Sequence, residues 1–207
     1  MINKTLLTGG SGLLGTELRK YIKCDAPTSE ELDITKTKIV PNSFRVIIHC
    51  AAYTDVARAE EEKKRCFEVN VQGTVNLVKD SPKSKFIYIS SEYVYNPVNF
   101  YSLTKLWGEE VVRRYSENYL IIRTLFKDNP FPYKYAFVDQ YTTGDYVDVI
   151  TPMIVKEILK GTLGTINLGT GRKTMFELAR KTRPDVLGNS VDDIKNVILP
   201  KDYLAFQ

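Results

Sequence analysis

The chain has 207 residues, of which 43% are hydrophobic and 26% charged, and its formal net charge is only +4. This composition is that of a globular protein long enough to bury a core, and the length favours one domain. The basic residues are scattered and no apolar segment approaches the length of a membrane span, so we expect neither a nucleic acid nor a membrane as partner.

The cysteines and the single histidine exclude several kinds of site. Cys24, Cys50 and Cys66 are an odd number without C-x-x-C spacing, which indicates neither a disulfide framework nor a zinc site. His49 ends an apolar run, so we expect a packed residue rather than a metal ligand or the base of a Ser-His-Asp triad. We therefore expect no metal and, because the N-terminus leads directly into a strand without a signal peptide, a cytoplasmic location.

Apolar runs alternate with amphipathic stretches along the chain. The predicted strands are Lys4–Thr8, Tyr21–Asp25, Arg45–Cys50, Lys85–Ser90, Tyr119–Thr124 and Thr165–Leu168. The predicted helices are Ser11–Tyr21, Glu60–Val78, Tyr101–Tyr115 and Tyr146–Leu159. This alternation predicts an α/β fold with a doubly wound parallel sheet of the Rossmann type. The tail, Pro184–Gln207, is less periodic and is expected to wrap over the sheet.

A glycine-rich turn follows the first predicted strand directly, with the sequence TGGSGLLG over residues 8–15. Gly9 suits a tight turn, Gly12 lets an anionic group approach the backbone, and Gly15 lets the helix pack closely on the strand. A plain flexible turn is the alternative interpretation. The order of strand, glycine turn and helix is typical of a site for the pyrophosphate of a dinucleotide.

Tyr101 and Lys105 lie one helical turn apart on the same face of a predicted helix. An ammonium beneath a tyrosine would stabilise the phenolate and lower the pKa of the hydroxyl, which suits proton transfer to a carbonyl oxygen. Ser91 directly follows a predicted buried strand, at the edge where parallel sheets bind ligands, and could hydrogen-bond that carbonyl. An ordinary surface pair and a plain strand-end turn are the alternatives.

In this order, the glycine turn, Ala51-Ala52, Ser91 and the Tyr-x-x-x-Lys pair resemble the extended short-chain dehydrogenase/reductases. Further segments narrow the resemblance to the dTDP-4-dehydrorhamnose reductase branch, from Lys4 to about Leu178. These segments are residues 31–35 (ELDIT), 49–56 (HCAAYTDV), 59–60 (AE), 69–74 (VNVQGT), 89–95 (ISSEYVY), 101–109 (YSLTKLWGE) and 122–124 (IRT).

The resemblance implies a catalytic trio and a cofactor. Ser91 would polarise the C4 carbonyl of a nucleotide-linked 4-keto-6-deoxy sugar, Tyr101 would protonate its oxygen, and Lys105 would hold the cofactor ribose and tune Tyr101. Hydride would come from the nicotinamide of NADPH or NADH. The residues implied to bind the cofactor are Gly9, Ser11, Gly12, Leu13 and Leu14 at the pyrophosphate, Asp33 and Ile34 at the adenine, Cys50, Ala51, Ala52 and Tyr53 at the ribose and phosphates, Asn70 in support of the lysine region, and Tyr101 and Lys105.

The choice between NADPH and NADH depends on the end of the second predicted strand. An acid there would bind the adenosine ribose and repel a 2′-phosphate, and Asp25 could be that acid. In another alignment Thr28 and Ser29 occupy the position, and their hydroxyls tolerate a phosphate. We lean slightly towards NADPH.

The sequence departs from the family on the sugar side. Its departures are short stretches after Asp33, between Tyr95 and Tyr101 and between Thr124 and Asp139, Ala57 in place of an aspartate, and Phe126 in place of a tryptophan. We expect one Rossmann-like domain over residues 1–207, in which residues 125–207 form a reduced substrate-side part. Within that part, local resemblance suggests that Asp139, Gln140, Thr142 and Thr143 help to shape the sugar pocket.

The expected function is that of an NAD(P)H-dependent reductase of a nucleotide-diphospho-4-keto-6-deoxy sugar, in deoxysugar or rhamnose biosynthesis. A non-catalytic dinucleotide-binding regulatory subunit is one alternative, and a nucleotide-sugar epimerase or dehydratase is another. The expected partner is the nucleotide-diphospho sugar, and the resemblance also allows a homodimer that pairs helices such as Tyr101–Tyr115.

Overall fold

The structure is a computed structural model, and it describes residues 4–36 and 44–202. In chain order the strands are β1 (Thr5–Thr8), β2 (Val46–His49), β3 (Lys85–Ser91), β4 (Tyr119–Thr124), β5 (Phe126–Lys127), β6 (Tyr135–Phe137), β7 (Tyr141–Thr142), β8 (Asp145–Tyr146), β9 (Gly164–Asn167), β10 (Lys173–Thr174) and β11 (Leu187–Asn189). The α-helices are α1 (Leu13–Leu18), α2 (Arg58–Glu61), α3 (Lys63–Phe67), α4 (Gly73–Asp80), α5 (Phe100–Tyr115), α6 (Val147–Lys160) and α7 (Met175–Arg180). A π-helical turn spans Glu68–Gln72, and 3₁₀ turns span Glu92–Tyr95 and Val191–Asp193.

The main sheet has five parallel strands in the order β1-β2-β3-β4-β9. Its strands are apolar on both faces because helices cover both. Leu7 and Ile48 pack with α1 and α6 on one face, whereas Ile47 and Phe86 pack with α4 and α5 on the other. Each such side chain contributes about 2 kcal/mol when it leaves water. The predicted doubly wound α/β fold is confirmed. No helix in the described ranges is both long and apolar enough to cross a membrane.

The strand predicted over Tyr21–Asp25 is wrong. Only Asp25 pairs with the sheet, through hydrogen bonds of 2.8 Å from Leu7 N to Asp25 O and from Asp25 N to Thr5 O. The segment has two apolar side chains that face the core, Ile22 and Cys24, and both are only partly buried. This is too little apolar surface to hold a full strand at the edge of the sheet.

The single helix predicted over Glu60–Val78 is interrupted twice. Glu62 breaks it between α2 and α3, where its carboxylate accepts a hydrogen bond of 2.9 Å from the Tyr53 hydroxyl. The π-helical turn then widens the helix around Asn70, whose buried side chain bonds groups outside the helix. The helix is therefore interrupted where its residues bond polar groups that are distant in sequence, which the spacing of apolar residues does not indicate.

Apart from α6 and β9, which belong to the main sheet and its cover, the part of the chain after β4 forms a second layer around its own apolar cluster. Strand β5 pairs with β8, β7 with β10 and β6 with β11. The buried members of the cluster are Phe131, Ala136, Tyr146, Met175, Leu178, Ala179 and Val186. This layer follows the carboxyl end of β4 directly and therefore borders the edge where parallel sheets bind ligands.

The tail was expected to wrap over the sheet but packs elsewhere. Its backbone accepts hydrogen bonds of 2.8 Å from Tyr141 N to Lys201 O and of 3.1 Å from Gln140 Nε2 to Pro200 O. Asn99, which caps α5 by accepting from Ser102 N at 2.9 Å, also donates to Ile198 O at 3.0 Å. The tail thus joins the start of α5 to β7. Residues 203–207 lie outside the described residues.

Glu109 of α5 is a fully buried carboxylate in a charged cluster. Arg123 of β4 donates to it at 2.9 and 2.7 Å, Arg113 at 2.7 Å and Ser90 Oγ of β3 at 2.6 Å. Burial acts to raise the pKa of this carboxyl, but the hydrogen bonds from Arg123 and Ser90 hold it below its ordinary value. The cluster fixes α5 against β3 and β4.

We expect Glu109→Ala to lower the free energy of unfolding by about 3 kcal/mol, because Arg123 would keep its charge without a carboxylate. The control is Glu110→Ala, since Glu110 also accepts from Arg113 but its side chain is 64% exposed. The control should lose less than about 1 kcal/mol. Urea unfolding at neutral pH measures both variants, and equal losses would contradict the expectation. Because the folded-state pKa of Glu109 is lowered, its contribution is present above the ordinary carboxyl pKa and disappears as the pH falls below it.

Candidate active site

A cleft of about 830 Å³ opens along the carboxyl ends of the parallel strands. Its lining follows the order of the sheet. It comprises Thr8 at the end of β1 with residues 9 and 11–15, residues 50–54 after β2, Ser90 and Ser91 at the end of β3, and Thr124 at the end of β4 with residues 125–128. The chain leaves β1 on one side, where Asp25 pairs, and returns on the other as β2. Such a reversal at the carboxyl edge is where open α/β sheets bind ligands.

The glycine turn is built closely against its neighbours. Gly9 has a φ of +70°, and a Cβ there would lie 2.6 Å from Ala51 N. A Cβ on Gly15 would lie 2.1 Å from Gly9 O, so the helix can pack on the turn only without a side chain. A Cβ on Gly12 would meet only Gly9 O, at 3.3 Å. Gly12 therefore leaves open space in the cleft rather than relieving a clash.

The predicted trio meets in this cleft. Ser91, Tyr101 and Lys105 all line it, although β3 carries the first and α5 the other two. Ser91 Oγ accepts a hydrogen bond of 3.2 Å from Tyr93 N, which leaves its hydroxyl proton free for another acceptor. Burial raises the pKa of Tyr101 to about 12, with the Ser91 hydroxyl acting in the opposite direction. Tyr101 therefore keeps its proton at neutral pH.

The expected effect of Lys105 on Tyr101 is not found. The Lys105 ammonium donates to Ile89 O at 2.8 Å and lies 4.2 Å from the centre of the Tyr88 ring. Burial lowers the pKa of Lys105 to about 8, although the charge of Glu109 acts to raise it. The pKa of Tyr101 rises because burial outweighs any stabilisation of the phenolate.

Asn70 lies behind the cleft rather than in its lining. Its Oδ1 accepts a hydrogen bond of 2.7 Å from Tyr53 N, and its Nδ2 donates to Tyr53 O at 3.1 Å and to Thr104 Oγ1 at 2.9 Å. It thus joins the segment after β2 to the residue that precedes Lys105. The predicted role in support of the lysine region fits this position, whereas direct contact with a ligand does not.

The other residues predicted to hold the cofactor line the cleft. They are Gly9, Ser11, Gly12, Leu13, Leu14, Asp33, Ile34, Cys50, Ala51, Ala52 and Tyr53. Asp33 accepts from Thr35 N at 3.0 Å and from Thr35 Oγ1 at 2.7 Å, and these bonds lower its pKa. At the disputed strand end, Ser29 lines the cleft, whereas Asp25 is held in its bridge to Leu6.

His49 is a packed residue, as predicted. Its ring nitrogens lie 2.7 Å from Thr8 Oγ1 and 3.0 Å from Thr74 Oγ1, and its exposure is 2%. Burial lowers its pKa to about 3, so the ring is neutral. All three cysteines are free thiols. Over residues 4–36 and 44–202, no cluster of three or more histidine, cysteine, aspartate or glutamate side chains could hold a metal ion.

Sequence reasoning missed the wall of the cleft that follows β4. Thr124, Leu125, Phe126, Lys127, Asp128, Pro132 and Tyr133 all line the cleft. Their position directly after a predicted parallel strand was the available signal, because the carboxyl ends of neighbouring strands share one edge. A lysine next to the apolar pair Leu125-Phe126 was a second signal.

None of the residues suggested to shape the sugar pocket lines the cleft, and that suggestion stays a prediction. Asp139 accepts from Ser190 Oγ at 2.6 Å and from Val191 N at 2.9 Å, and so holds the tail. Thr142 donates to Glu92 at 2.7 Å, and Thr143 bonds the same carboxylate. Gln140 binds the tail backbone. Asp139 and Gln140 thus bond the C-terminal segment, whereas Thr142 and Thr143 bond Glu92, which directly follows Ser91.

The curated relatives include a sugar-nucleotide reductase and a subunit of another enzyme. The dTDP-4-dehydrorhamnose reductase of Mycolicibacterium smegmatis is 32% identical over 149 residues, which cover 60% of this chain and 46% of that protein. Methionine adenosyltransferase 2 subunit beta of Danio rerio is 28% identical over 155 residues, covering 58% of this chain and 46% of that protein. The chain thus spans about half the length of the curated relatives it matches.

A solved structure extends the likeness over nearly the whole chain. The dTDP-4-dehydrorhamnose reductase of Bacillus anthracis, crystallised in complex with NADP, is 26% identical and superposes with a TM-score of 0.85. The superposition covers 97% of this chain and 89% of that one. The family model described as the RmlD substrate binding domain matches residues 3–151, more than half of this chain. The resemblance drawn from the sequence is therefore confirmed, and the chain belongs to the RmlD substrate binding domain family.

Proposed function

We propose that this protein is an NAD(P)H-dependent reductase of a nucleotide-diphospho-4-keto-6-deoxy sugar. One observation carries the proposal: Ser91, Tyr101 and Lys105 share a cleft with the glycine turn. A module that only bound a dinucleotide would have no use for a half-buried acid, Tyr101, beside the hydroxyl donor Ser91. The reductases among the relatives described above support the same reaction class.

The chain's residues fit a dinucleotide. Gly12 leaves open space where a pyrophosphate would lie, and no side chain caps the first turn of α1. Leu32 and Ile34 offer apolar surface for an adenine, next to the hydroxyl of Ser29. Since Ser29 rather than Asp25 lines the cleft, a 2′-phosphate would meet a hydroxyl instead of a carboxylate, which favours NADPH.

The trio accounts for the proton and for the orientation of the carbonyl. When bound, the dinucleotide supplies a hydride to the carbonyl carbon. The Ser91 hydroxyl donates a hydrogen bond to the carbonyl oxygen, and Tyr101 transfers its proton to that oxygen as negative charge develops. Lys105, as an ammonium, would hold ribose hydroxyls of the dinucleotide. Hydride and proton together convert the ketone to a secondary alcohol.

The part after β4 supplies the substrate side of this scheme. Residues 125–207 are proposed to be the reduced substrate-side part of one domain, because Phe126, Lys127 and Tyr133 face the cleft from it. Three free cysteines suit a cytoplasmic protein. A regulatory, non-catalytic role is the second candidate, favoured by the likeness to methionine adenosyltransferase 2 subunit beta.

The purified protein should oxidise NADPH, followed at 340 nm, when offered dTDP- or UDP-4-keto-6-deoxy sugars. Tyr101→Phe should lower kcat at least about a hundredfold, because it removes the general acid. Its dissociation constant for NADPH should change little. Tyr115→Phe is the control, since Tyr115 ends the same helix and is 43% exposed.

Tight NADPH binding without turnover of any of these sugars would favour the regulatory subunit instead. An exchange of sugar stereochemistry or loss of water without net NADPH oxidation would favour an epimerase or dehydratase. Full turnover by Tyr101→Phe would remove this residue from the mechanism.

Gly12→Val should fold normally and bind NADPH at least about tenfold more weakly, since its side chain would occupy the open space at the turn. Thermal unfolding checks the fold, and fluorescence titration gives the dissociation constant. Gly171→Val is the matched control, because a Cβ there meets no atom within 4 Å and Gly171 lies outside the cleft. Normal NADPH affinity in Gly12→Val would refute the assignment of the turn.

A homodimer through α3 and α5 is part of the proposal. Phe67 and Trp107 are 40% and 39% exposed on these helices, with ring centres 6.0 Å apart, and form an apolar patch with Phe100. Sedimentation should give twice the chain mass of 23.6 kDa. Trp107→Glu should shift this to the monomer, whereas Tyr21→Glu, at a residue 50% exposed on another face, should not. A monomeric wild-type protein at micromolar concentration would exclude the dimer.

A further inference from the structure

Lys127 places a positive charge in the cleft on the wall that sequence reasoning missed. It ends β5, directly after the carboxyl end of β4, and its backbone pairs with Tyr146 of β8. The strand pairing fixes the backbone, and the half-buried side chain lines the cleft. Its ammonium lies 5.5 Å from the centre of the Tyr133 ring, which lines the same wall.

No carboxylate of the described residues forms an ion pair with Lys127. Lys173 and Lys181, in the same layer of the protein, both lie near Asp145, at 3.6 and 3.4 Å. The neighbouring Asp128 is exposed and accepts a hydrogen bond of 3.1 Å from Asn129 N instead of pairing with Lys127. Desolvation lowers the pKa of the Lys127 ammonium. A cation that has lost water without gaining a carboxylate is costly until an anion arrives.

The other basic side chains of the cleft, among the residues described, are not available in the same way. Lys105 is committed to Ile89 O at 2.8 Å, deep in the site. Arg65 is exposed on α3, so its guanidinium keeps its water and has less to gain from an anion than Lys127 has. The glycine turn offers an anion only uncharged backbone groups. A doubly charged group in the half of the cleft near β4 would therefore depend on Lys127.

We propose that Lys127 is the residue whose positive charge binds a diphosphate group in the cleft. The diphosphate would lie beside the Lys127 ammonium, next to the ring of Tyr133. The inference rests on the proposed function, whose two ligands, the nucleotide-diphospho sugar and the dinucleotide, both carry this group. The main sheet puts β2 and β3 between Lys127 and the glycine turn, which favours the sugar nucleotide. The loop after β5 returns towards α1, where Asp128 and Asn129 share a groove with Gly12 and Leu13, so the dinucleotide is the second source.

Calorimetric titration of the whole chain with dTDP and, separately, with NADPH tests this inference. Lys127→Met keeps about the length of the side chain and removes the charge. This variant should bind one of the two ligands at least about tenfold more weakly than the wild type does. Lys127→Arg, which keeps the charge, should stay within about threefold of the wild type. Lys134→Met is the matched control, because Lys134 also lies 5.5 Å from a tyrosine ring, that of Tyr135, but outside the cleft. Its affinities should equal those of the wild type.

The two ligands separate the sources of the diphosphate. If only the affinity for dTDP falls, Lys127 binds the sugar nucleotide. If only the affinity for NADPH falls, Lys127 binds the dinucleotide. In either case raised salt should reduce the difference between wild type and Lys127→Met. Unchanged affinity for both ligands in a Lys127→Met protein that unfolds at the wild-type temperature would overturn the inference.

The outcome is independent of catalysis. A wild-type protein that binds dTDP through Lys127 but reduces no sugar would overturn the proposed reductase and leave this site standing. If the wild type reduces the sugar and Lys127→Met binds both ligands as tightly as the wild type, the proposed reductase stands and the Lys127 site is overturned.

Discussion

The carboxylate of Glu109 is the contact on which the geometry of the site depends. It stands one helical turn beyond Lys105 on α5 and accepts hydrogen bonds from Ser90, which precedes Ser91, and from Arg123 of β4. A helix and two strands therefore meet at one buried charge, and displacing any of them would leave charged or polar groups unpaired in the interior. The side chains that face the cleft are thus held in place from behind it.

The spacing of apolar residues predicted those elements whose own side chains make up the buried core. Strand β4 has the predicted bounds, Tyr119–Thr124, and β2, β3, α5 and α6 differ by one or two residues at their ends. The spacing failed where the deciding contact is distant in sequence. Asn70 shapes its helix through Tyr53 and Thr104, which no local pattern reports. Tyr21–Asp25 failed for the opposite reason, since two inward side chains cannot hold a strand at an open edge.

The residues of the candidate site that lie at the carboxyl ends of strands could be predicted from the sequence. The glycine turn and Ser91 follow or end parallel strands, so the fold alone brings them to one edge. Tyr101 and Lys105 joined them because helical spacing puts both on one face. The wall around Lys127 and Tyr133 depends on how irregular chain folds back after β4, which spacing does not encode. The pKa of Tyr101 likewise depends on its final burial, which outweighs the neighbouring lysine.

The bond from Asn99 to Ile198 makes a helix start depend on the other end of the chain. The two residues are 99 positions apart. The cap of α5 itself is completed within the first turn by Asn99 and Ser102, and the Asn99 amide nitrogen adds the bond to the tail. Contacts that close long stretches of chain cost entropy and generally form late. During synthesis, the N-terminal sheet can assemble while the tail is still to be made. The amide nitrogen of Asn99, at the start of the helix that carries Tyr101, would then gain its partner only after the rest of the cap has formed.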